Sequence, residues 1–365
     1  MKYCSQCTKL NDAKELIMKW IIPKRSNVFR EAALARQVKL TKPAGALGLL
    51  EDVAVWLADI QQTRRPQSGP ASAIVFASDH PVSHLGVSAY PREVTPMMIM
   101  NLAMGGAAAS VLARLNGIPL HVVDVGAERY PVPETGLGTY WNRVDVGGTA
   151  GDLVNSDAMD STAFAGALEA GADTIDSIDA NTRVVILGEM GIGNTTPASA
   201  ISARLLGLSA KATVGPGTGL NGNALNDKLA KVQKALDRTN GVNSAMDVLR
   251  CLGGREIAAI VGAMGRAAEQ GMAILVDGFI VSSAALVAVK HDPRIRAHMW
   301  FGHRSAELGH ASILESLGAK PLVDAGLRLG EGSGALATFP LVEAAVELHN
   351  QMATFEEAAV PERDQ

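Results

Sequence analysis

The string Gly330-Glu331-Gly332-Ser333-Gly334 sets one carboxylate among glycines. Glycine on both sides gives a ligand close access and leaves the carboxylate few hydrogen-bonding neighbours. A carboxylate in such a place has a raised pKa and can act as a general base. A solvated Glu in a surface turn is the plainer alternative. A second carboxylate, Glu189, stands in Gly188-Glu189-Met190-Gly191-Ile192-Gly193-Asn194-Thr195-Thr196-Pro197. That string follows an apolar run and opens a helical pattern, with Pro197 suited to the first helical turn. Small residues admit close backbone approach, and amides at a helix start face an anion. The spacing is neither G-x-G-x-x-G nor a Walker loop, so a phosphate fits here without pointing to a dinucleotide or a nucleoside triphosphate. A plain tight turn fits as well. Gly215-Pro216-Gly217-Thr218-Gly219-Leu220 is a further glycine loop, and Lys228 follows it near the start of a helical pattern. Lys228 is either a solvated helix charge or the cation for a phosphate.

Other reactive residue types form no recognisable pattern. His80, His84, His303 and His310 lack H-E-x-x-H or similar spacing, so neither a metal site nor a cofactor is expected. Three cysteines cannot build a disulfide framework. Cys4 and Cys7 form a lone C-x-x-C with no second ligand pair, which reads as an incidental pair at a chain end.

These residues need a scaffold, and the apolar runs supply one. Runs at 73–78, 120–123, 183–187, 273–276 and 298–301 each end in an acid, a Gly or a His. Runs rich in Val, Ile and Leu predict strands buried on both faces, as in a parallel sheet. Helical patterns lie between them at 95–116, 157–170, 197–206, 224–237 and 255–269. The order predicts an α/β fold with a Rossmann-like, mostly parallel sheet flanked by helices. Ligands then bind beyond the carboxyl ends of the strands, where the polar residues sit. Patterns at 27–40, 47–61 and 339–357 fall outside the series and predict a small helical domain built from both chain ends. The expected division is 1–65 for the N-terminal part of that domain, 66–335 for the catalytic domain, and 336–365 for the returning C-terminal helix.

Composition narrows the function classes. The chain of 365 residues is 47% hydrophobic and 19% charged, enough for a large core. A net charge of −4 argues against a general nucleic-acid binder. The most apolar window, 272–289, contains Asp277 and Gly278 and reads as two elements, so no membrane span is expected. The resulting expectation is a cytoplasmic protein.

Together these strings resemble the nicotinate-nucleotide:dimethylbenzimidazole phosphoribosyltransferase family. Beyond the loops above, the resemblance rests on Leu40-Thr41-Lys42-Pro43, Ala77-Ser78-Asp79-His80, Gly86-Val87-Ser88-Ala89-Tyr90-Pro91 and Val122-Val123-Asp124-Val125-Gly126. It continues through Asp277-Gly278-Phe279-Ile280, His303-Arg304-Ser305-Ala306-Glu307 and Gly326-Leu327-Arg328-Leu329. It implies transfer of phosphoribosyl from nicotinate mononucleotide to an aromatic acceptor base such as 5,6-dimethylbenzimidazole, by a dimer, homomeric or heteromeric. By resemblance Glu331 is the base and Glu189 lies near the ribose as a supporting acid. Gly191, Gly193, Asn194, Thr195, Gly217 and Gly219 meet the mononucleotide and its phosphate, with Lys228 as cation. Ser88, Tyr90 and Leu329 line the base pocket.

Departures from the family pattern are Leu49 after Leu47-Gly48, Pro81 after His80, Met97 in place of a Gln, and Pro216 in place of a basic residue. Pro81 and Met97 bear on the acceptor more than on the reaction. The alternatives are a subunit of a heteromeric relative that uses phenols and a non-catalytic regulatory paralogue. A phosphoribosyl pyrophosphate enzyme is a further rival, but it wants paired acids at a strand end, and Val123-Asp124-Val125-Gly126 offers one.

Overall fold

The computed structural model describes residues 19–361, so the Cys4–Cys7 pair lies outside the described residues. Helices α1 (Asn27–Lys39) and α2 (Leu49–Ile60) precede strand β1 (Ala71–Ala77). Then follow α3 (Val94–Met104), α4 (Ala108–Leu115), β2 (Leu120–Asp124), β3 (Thr139–Arg143), α5 (Ser161–Ser177) and β4 (Val184–Met190). Helices α6 (Thr195–Leu206), α7 (Ala210–Thr213), α8 (Gly222–Arg238), α9 (Ala245–Leu252) and α10 (Arg255–Glu269) lead to β5 (Ala273–Val276). Helix α11 (Phe279–His291), β6 (Met299–Phe301), α12 (His310–Ser316) and α13 (Ser333–Gln351) complete the chain.

The sheet order is β3-β2-β1-β4-β5-β6, and every neighbouring pair is parallel. Strand alternation sorts the core into two layers. Ile74, Phe76, Val185, Leu187, Ile274 and Val276 face the layer built with α5, α6, α10 and α11. Ala73, Val75, Val184, Ile186 and Leu275 face the layer built with α2, α3, α4 and α13. The order turns back between β1 and β4, so the two chains leaving their carboxyl ends diverge and open a crevice there.

The sheet and most helices match the expectation from sequence. Two differences matter. Edge strand β3 was not expected; Thr139-Tyr140-Trp141-Asn142-Arg143 is half exposed and has no apolar run to announce it. The single helix expected over 95–116 is two helices. Gly105 takes a left-handed φ of 91° and ends α3, and α4 starts afresh at Ala108. By length and composition 94–115 would cross a membrane, but that break leaves helices of 11 and 8 residues.

The segment after α1 meets the segment after α13. Leu40 pairs with Thr354, and the Thr41 N–H donates to Ala353 O at 3.1 Å. The Arg36 guanidinium donates to the carbonyls of His349, Asn350 and Met352 that end α13. Helices α2 and α13 also carry one layer of the sheet core, while Ala33, Val55 and Ala58 form a small cluster of their own. The 335/336 boundary falls inside α13.

Candidate active site

Glu189 lies on β4 one residue before its end, on the same strand face as Val185 and Leu187. It is buried, and Asn194 in the following loop donates its side-chain N–H to Glu189 Oε2. Burial raises the Glu189 pKa well above the ordinary carboxylate range. The charges of Asp277, Glu256 and Glu331 push the same way, and Asn194 opposes them.

Gly188 points to the other face and has a different task. A Cβ there would sit 2.5 Å from the Glu331 carbonyl carbon, so only glycine lets the 330–332 loop lie on β4. That loop runs left-handed for three residues, with φ of 89° at Gly330, 64° at Glu331 and 80° at Gly332. A non-glycine residue in this region costs about 1–3 kcal/mol, a strain typical of functional positions. The loop is held by the Glu331 N–H, which donates to Glu189 O at 3.2 Å, and by Ser333 Oγ, which donates to Gly330 O at 2.6 Å. A Cβ on Gly330 would fall 2.4 Å from Glu189 Oε1. The Gly330 turn therefore lies against the Glu189 carboxylate, and the Glu331 and Glu189 backbones are hydrogen-bonded to each other.

The Glu331 carboxylate accepts the Ala109 N–H at 3.2 Å, at the start of α4. Burial raises the Glu331 pKa, the Ala109 and Ala108 amides oppose this, and Asp277 adds to the rise. The break after α3 thus creates the helix start that holds Glu331.

Two further carboxylates complete the cluster. Glu256, at the start of α10, accepts Ser78 Oγ at 2.5 Å and lies 2.6 Å from His80 Nε2. Asp277, just after β5, accepts the Ala335 N–H of α13 at 2.9 Å and lies 3.4 Å from His303 Nε2. Both are nearly inaccessible to solvent. Glu256 had no sequence signal beyond a helix start. Asp277 had one, as the acid that ends an apolar run. Among the described residues no three His, Cys, Asp or Glu side chains gather in a way that could hold a metal ion.

The loop after β4 packs across the crevice on the segment after β1. A Cβ on Gly191 would meet Ser78 O at 2.6 Å, and one on Gly193 (φ 95°) would touch Ser83 and Val87. The Ile192 N–H donates to Thr95 Oγ1 at 3.1 Å, which ties the loop to α3. Thr195 then opens α6, and its hydroxyl accepts Lys228 Nζ of α8 at 2.7 Å. Lys228 Nζ also donates to Gly215 O at 3.2 Å. A Cβ on Gly217 (φ 54°) would stand 2.7 Å from Thr195 Oγ1 and 3.0 Å from Lys228 Nζ. Lys228 is fully buried, so it is not a solvated helix charge. Burial lowers its pKa to about 8, and the charge of Glu307 works against that fall. An ammonium has three N–H donors, so two protein partners leave one for a ligand oxygen.

The remaining residues lie nearer the surface. Ser88 Oγ is 3.0 Å from Thr218 Oγ1, which also accepts the Ala89 N–H at 2.9 Å. This joins the 86–90 segment to the 217–219 loop. Gly219 (φ 114°) has open space where a Cβ would stand. Tyr90 and Leu329 are exposed at 56% and 62% and are not drawn into an apolar pocket. Met97 is exposed on the first turn of α3. A surface cleft lined by Arg30, Trp56 and Trp300 contains none of these residues.

A family model described as phosphoribosyltransferase matches residues 22–360. The nicotinate-nucleotide–dimethylbenzimidazole phosphoribosyltransferase of Pseudomonas syringae pv. syringae is 49% identical over 337 residues, 92% of this chain and 95% of the relative. The Bradyrhizobium enzyme of the same name is 47% identical over 342 residues, 93% and 96% of the two chains. The crystal structure of the Thermus thermophilus enzyme superposes with a TM-score of 0.84 at 39% identity, over 92% of this chain and 99% of that one. The chain belongs to the nicotinate-nucleotide:dimethylbenzimidazole phosphoribosyltransferase family.

Proposed function

We propose that the protein transfers the phosphoribosyl group of nicotinate mononucleotide to a lower-ligand base such as 5,6-dimethylbenzimidazole, in cobamide biosynthesis. The observation that carries the reading is the packing of the Gly330-Glu331-Gly332 loop on the carboxyl end of β4, against the buried Glu189 carboxylate, together with a buried lysine held by the glycine loop at 215–217. A nitrogen of the acceptor attacks the anomeric carbon as the bond from that carbon to the nicotinate nitrogen breaks. The electrons of the broken bond neutralise the pyridinium. Glu331 takes the proton that the acceptor loses, and Glu189 stands by the ribose. The raised Glu331 pKa makes it a stronger base than an ordinary carboxylate. Lys228, with Thr195, Gly217 and Gly219, receives the phosphate. Ser88, Tyr90 and Leu329 border the acceptor.

The family resemblance also supports a dimer in the cytoplasm, and the net charge of −4 agrees with a small-molecule substrate rather than nucleic acid. The packing of α1 against the end of α13 supports a small unit at 1–65 and 336–365 beside a catalytic unit at 66–335. The test is product identification. The purified chain, given nicotinate mononucleotide and a panel of benzimidazoles, purines and phenols, is expected to release nicotinate and form the α-riboside 5′-phosphate of a benzimidazole. Turnover with phenols alone would favour the heteromeric alternative.

A further inference from the structure

Glu307 is a buried carboxylate that the reaction does not use. It sits in the segment between β6 and α12, and its backbone is fixed from several sides. The Ala306 N–H donates to Leu327 O at 3.0 Å, and the His310 N–H donates to Glu307 O at 3.1 Å. Ser305 Oγ accepts the Glu307 N–H at 3.3 Å. Gly309 lets the segment press on Phe279, because a Cβ there would meet the Phe279 ring at 2.7 Å. The side chain is therefore aimed by its frame, not by chance.

It is aimed at the back of the second glycine loop. Glu307 Oε2 is buried and has no hydrogen-bond partner. A Cβ on Gly215 would lie 2.3 Å from that oxygen, so only glycine at 215 lets the carboxylate approach. Lys228 grips the same residue through Gly215 O, and Arg328 Nη1 donates to Gly217 O at 3.2 Å. Three charged side chains thus converge on Gly215-Pro216-Gly217. Lys228 comes from α8, Glu307 from the segment before α12, and Arg328 from the segment before the Gly330 loop.

An isolated buried carboxylate is costly, and so is an isolated buried ammonium. Here the charge of each favours the charged form of the other, against the effect of burial. Glu307 and Lys228 form no direct ion pair, so the lysine N–H bonds stay free of the carboxylate. That arrangement leaves one lysine N–H without a protein acceptor while Glu307 offsets its charge.

We infer that Glu307 is a positioning residue, which holds Lys228 and the Gly215–Gly217 turn in the geometry that receives the donor's phosphate. The inference rests on the reading of Lys228 as the phosphate cation. Glu307 acts through Lys228 and does not touch the donor.

The charge relation gives a readout that a merely structural role would not move. The ionisable and charged groups acting on Glu307 are Lys228 and Arg328, and the one that sustains the Lys228 charge is Glu307. In Glu307→Gln the shape is kept and the charge is lost, so the Lys228 pKa falls from about 8. The sign follows. Protonated Lys228 binds the phosphate, so donor affinity is lost as pH rises through that pKa, and the loss comes at lower pH in the variant. The experiment measures the dissociation constant of nicotinate mononucleotide from pH 6 to 9.5 for wild type, Glu307→Gln, Glu307→Asp and Lys228→Met. The alkaline half-point is expected to move down by about half a pH unit or more in Glu307→Gln, an opposite charge being worth roughly one unit or more at close range. It should move down by less in Glu307→Asp, which keeps the charge but draws it back from the turn by one methylene. The KM of the acceptor should not change. A wild-type alkaline limb in Glu307→Gln would overturn the inference, provided Lys228→Met binds the donor weakly. Normal donor binding by Lys228→Met would instead remove the reading on which it rests. If Glu307→Gln does not fold, an unshifted half-point in Glu307→Asp with donor affinity within twofold of wild type overturns it, because the shorter side chain withdraws the charge from the turn.

Discussion

Replacing Glu331 by Gln removes one capacity and keeps the rest. The amide has the size of the carboxyl, and its oxygen can still accept the Ala109 N–H that Glu331 accepts at 3.2 Å. The left-handed backbone at φ 64° is unchanged in kind, since both residues carry a Cβ. What is lost is the ability to take a proton. General-base catalysis is worth about 10²–10⁴ in rate. At about 1.36 kcal/mol per factor of ten, that is roughly 2.7–5.4 kcal/mol of barrier. The assay is single-turnover release of nicotinate with saturating benzimidazole, alongside calorimetric binding of the mononucleotide. Binding should stay within about twofold, because the proposed phosphate site is at Lys228 and Thr195 and not at Glu331. The pH dependence adds a second check. Glu331 must be ionised to act, and burial raises its pKa, so wild-type turnover falls as pH falls through that raised value. Stability runs the other way. A carboxylate whose folded pKa is raised stabilises the fold below its unfolded pKa and loses that contribution as pH rises through the folded one. Glu331→Gln should therefore melt higher than wild type at neutral pH, with the difference vanishing in acid. Turnover within about threefold of wild type would show that another group is the base.

Two other substitutions probe the neighbouring parts. Lys228→Ala should weaken nicotinate mononucleotide binding by about 1.5–3 kcal/mol, while free nicotinate, which lacks the phosphate, competes equally with both proteins. Wild-type donor affinity should itself fall as pH rises through about 8, where the Lys228 ammonium loses its proton. Gly188→Ala would put a Cβ 2.5 Å from the Glu331 backbone, which cannot yield as a side-chain tip can. Overpacking of this kind costs about 1–3 kcal/mol, read as a lowered melting temperature, and kcat should fall with donor binding retained.

The sheet was legible because its central strands are continuous apolar runs, which only a two-sided parallel sheet accommodates. Edge strand β3 was not, because Tyr140 and Asn142 face solvent and break any run. The site was legible where glycine marks it. Gly188, Gly330 and Gly332 bracket the two carboxylates, and each of these glycines has a steric reason. Lys228 stood out only by following a glycine loop; its burial is a tertiary fact that helix periodicity does not carry. Glu256 and Glu307 were hidden because their partners, His80, Ser78 and the Gly215 turn, come from distant segments. The start of α4 was hidden too, since apolar residues continue on both sides of Gly105 and Gly106 and mask the break that presents Ala109 to Glu331.

The central claim is a monophosphate donor whose leaving group takes its own bonding electrons. Nicotinate departs from a cationic pyridinium, so no metal is needed to absorb charge as it leaves. Pyrophosphate as leaving group would instead accumulate negative charge and call for magnesium. The deciding measurement is a two-by-two assay of donor against chelator with one good benzimidazole acceptor. Turnover with nicotinate mononucleotide is predicted to persist in excess EDTA, and phosphoribosyl pyrophosphate is predicted to be inert with or without magnesium. Activity that requires the pyrophosphate donor and collapses on chelation would contradict the account.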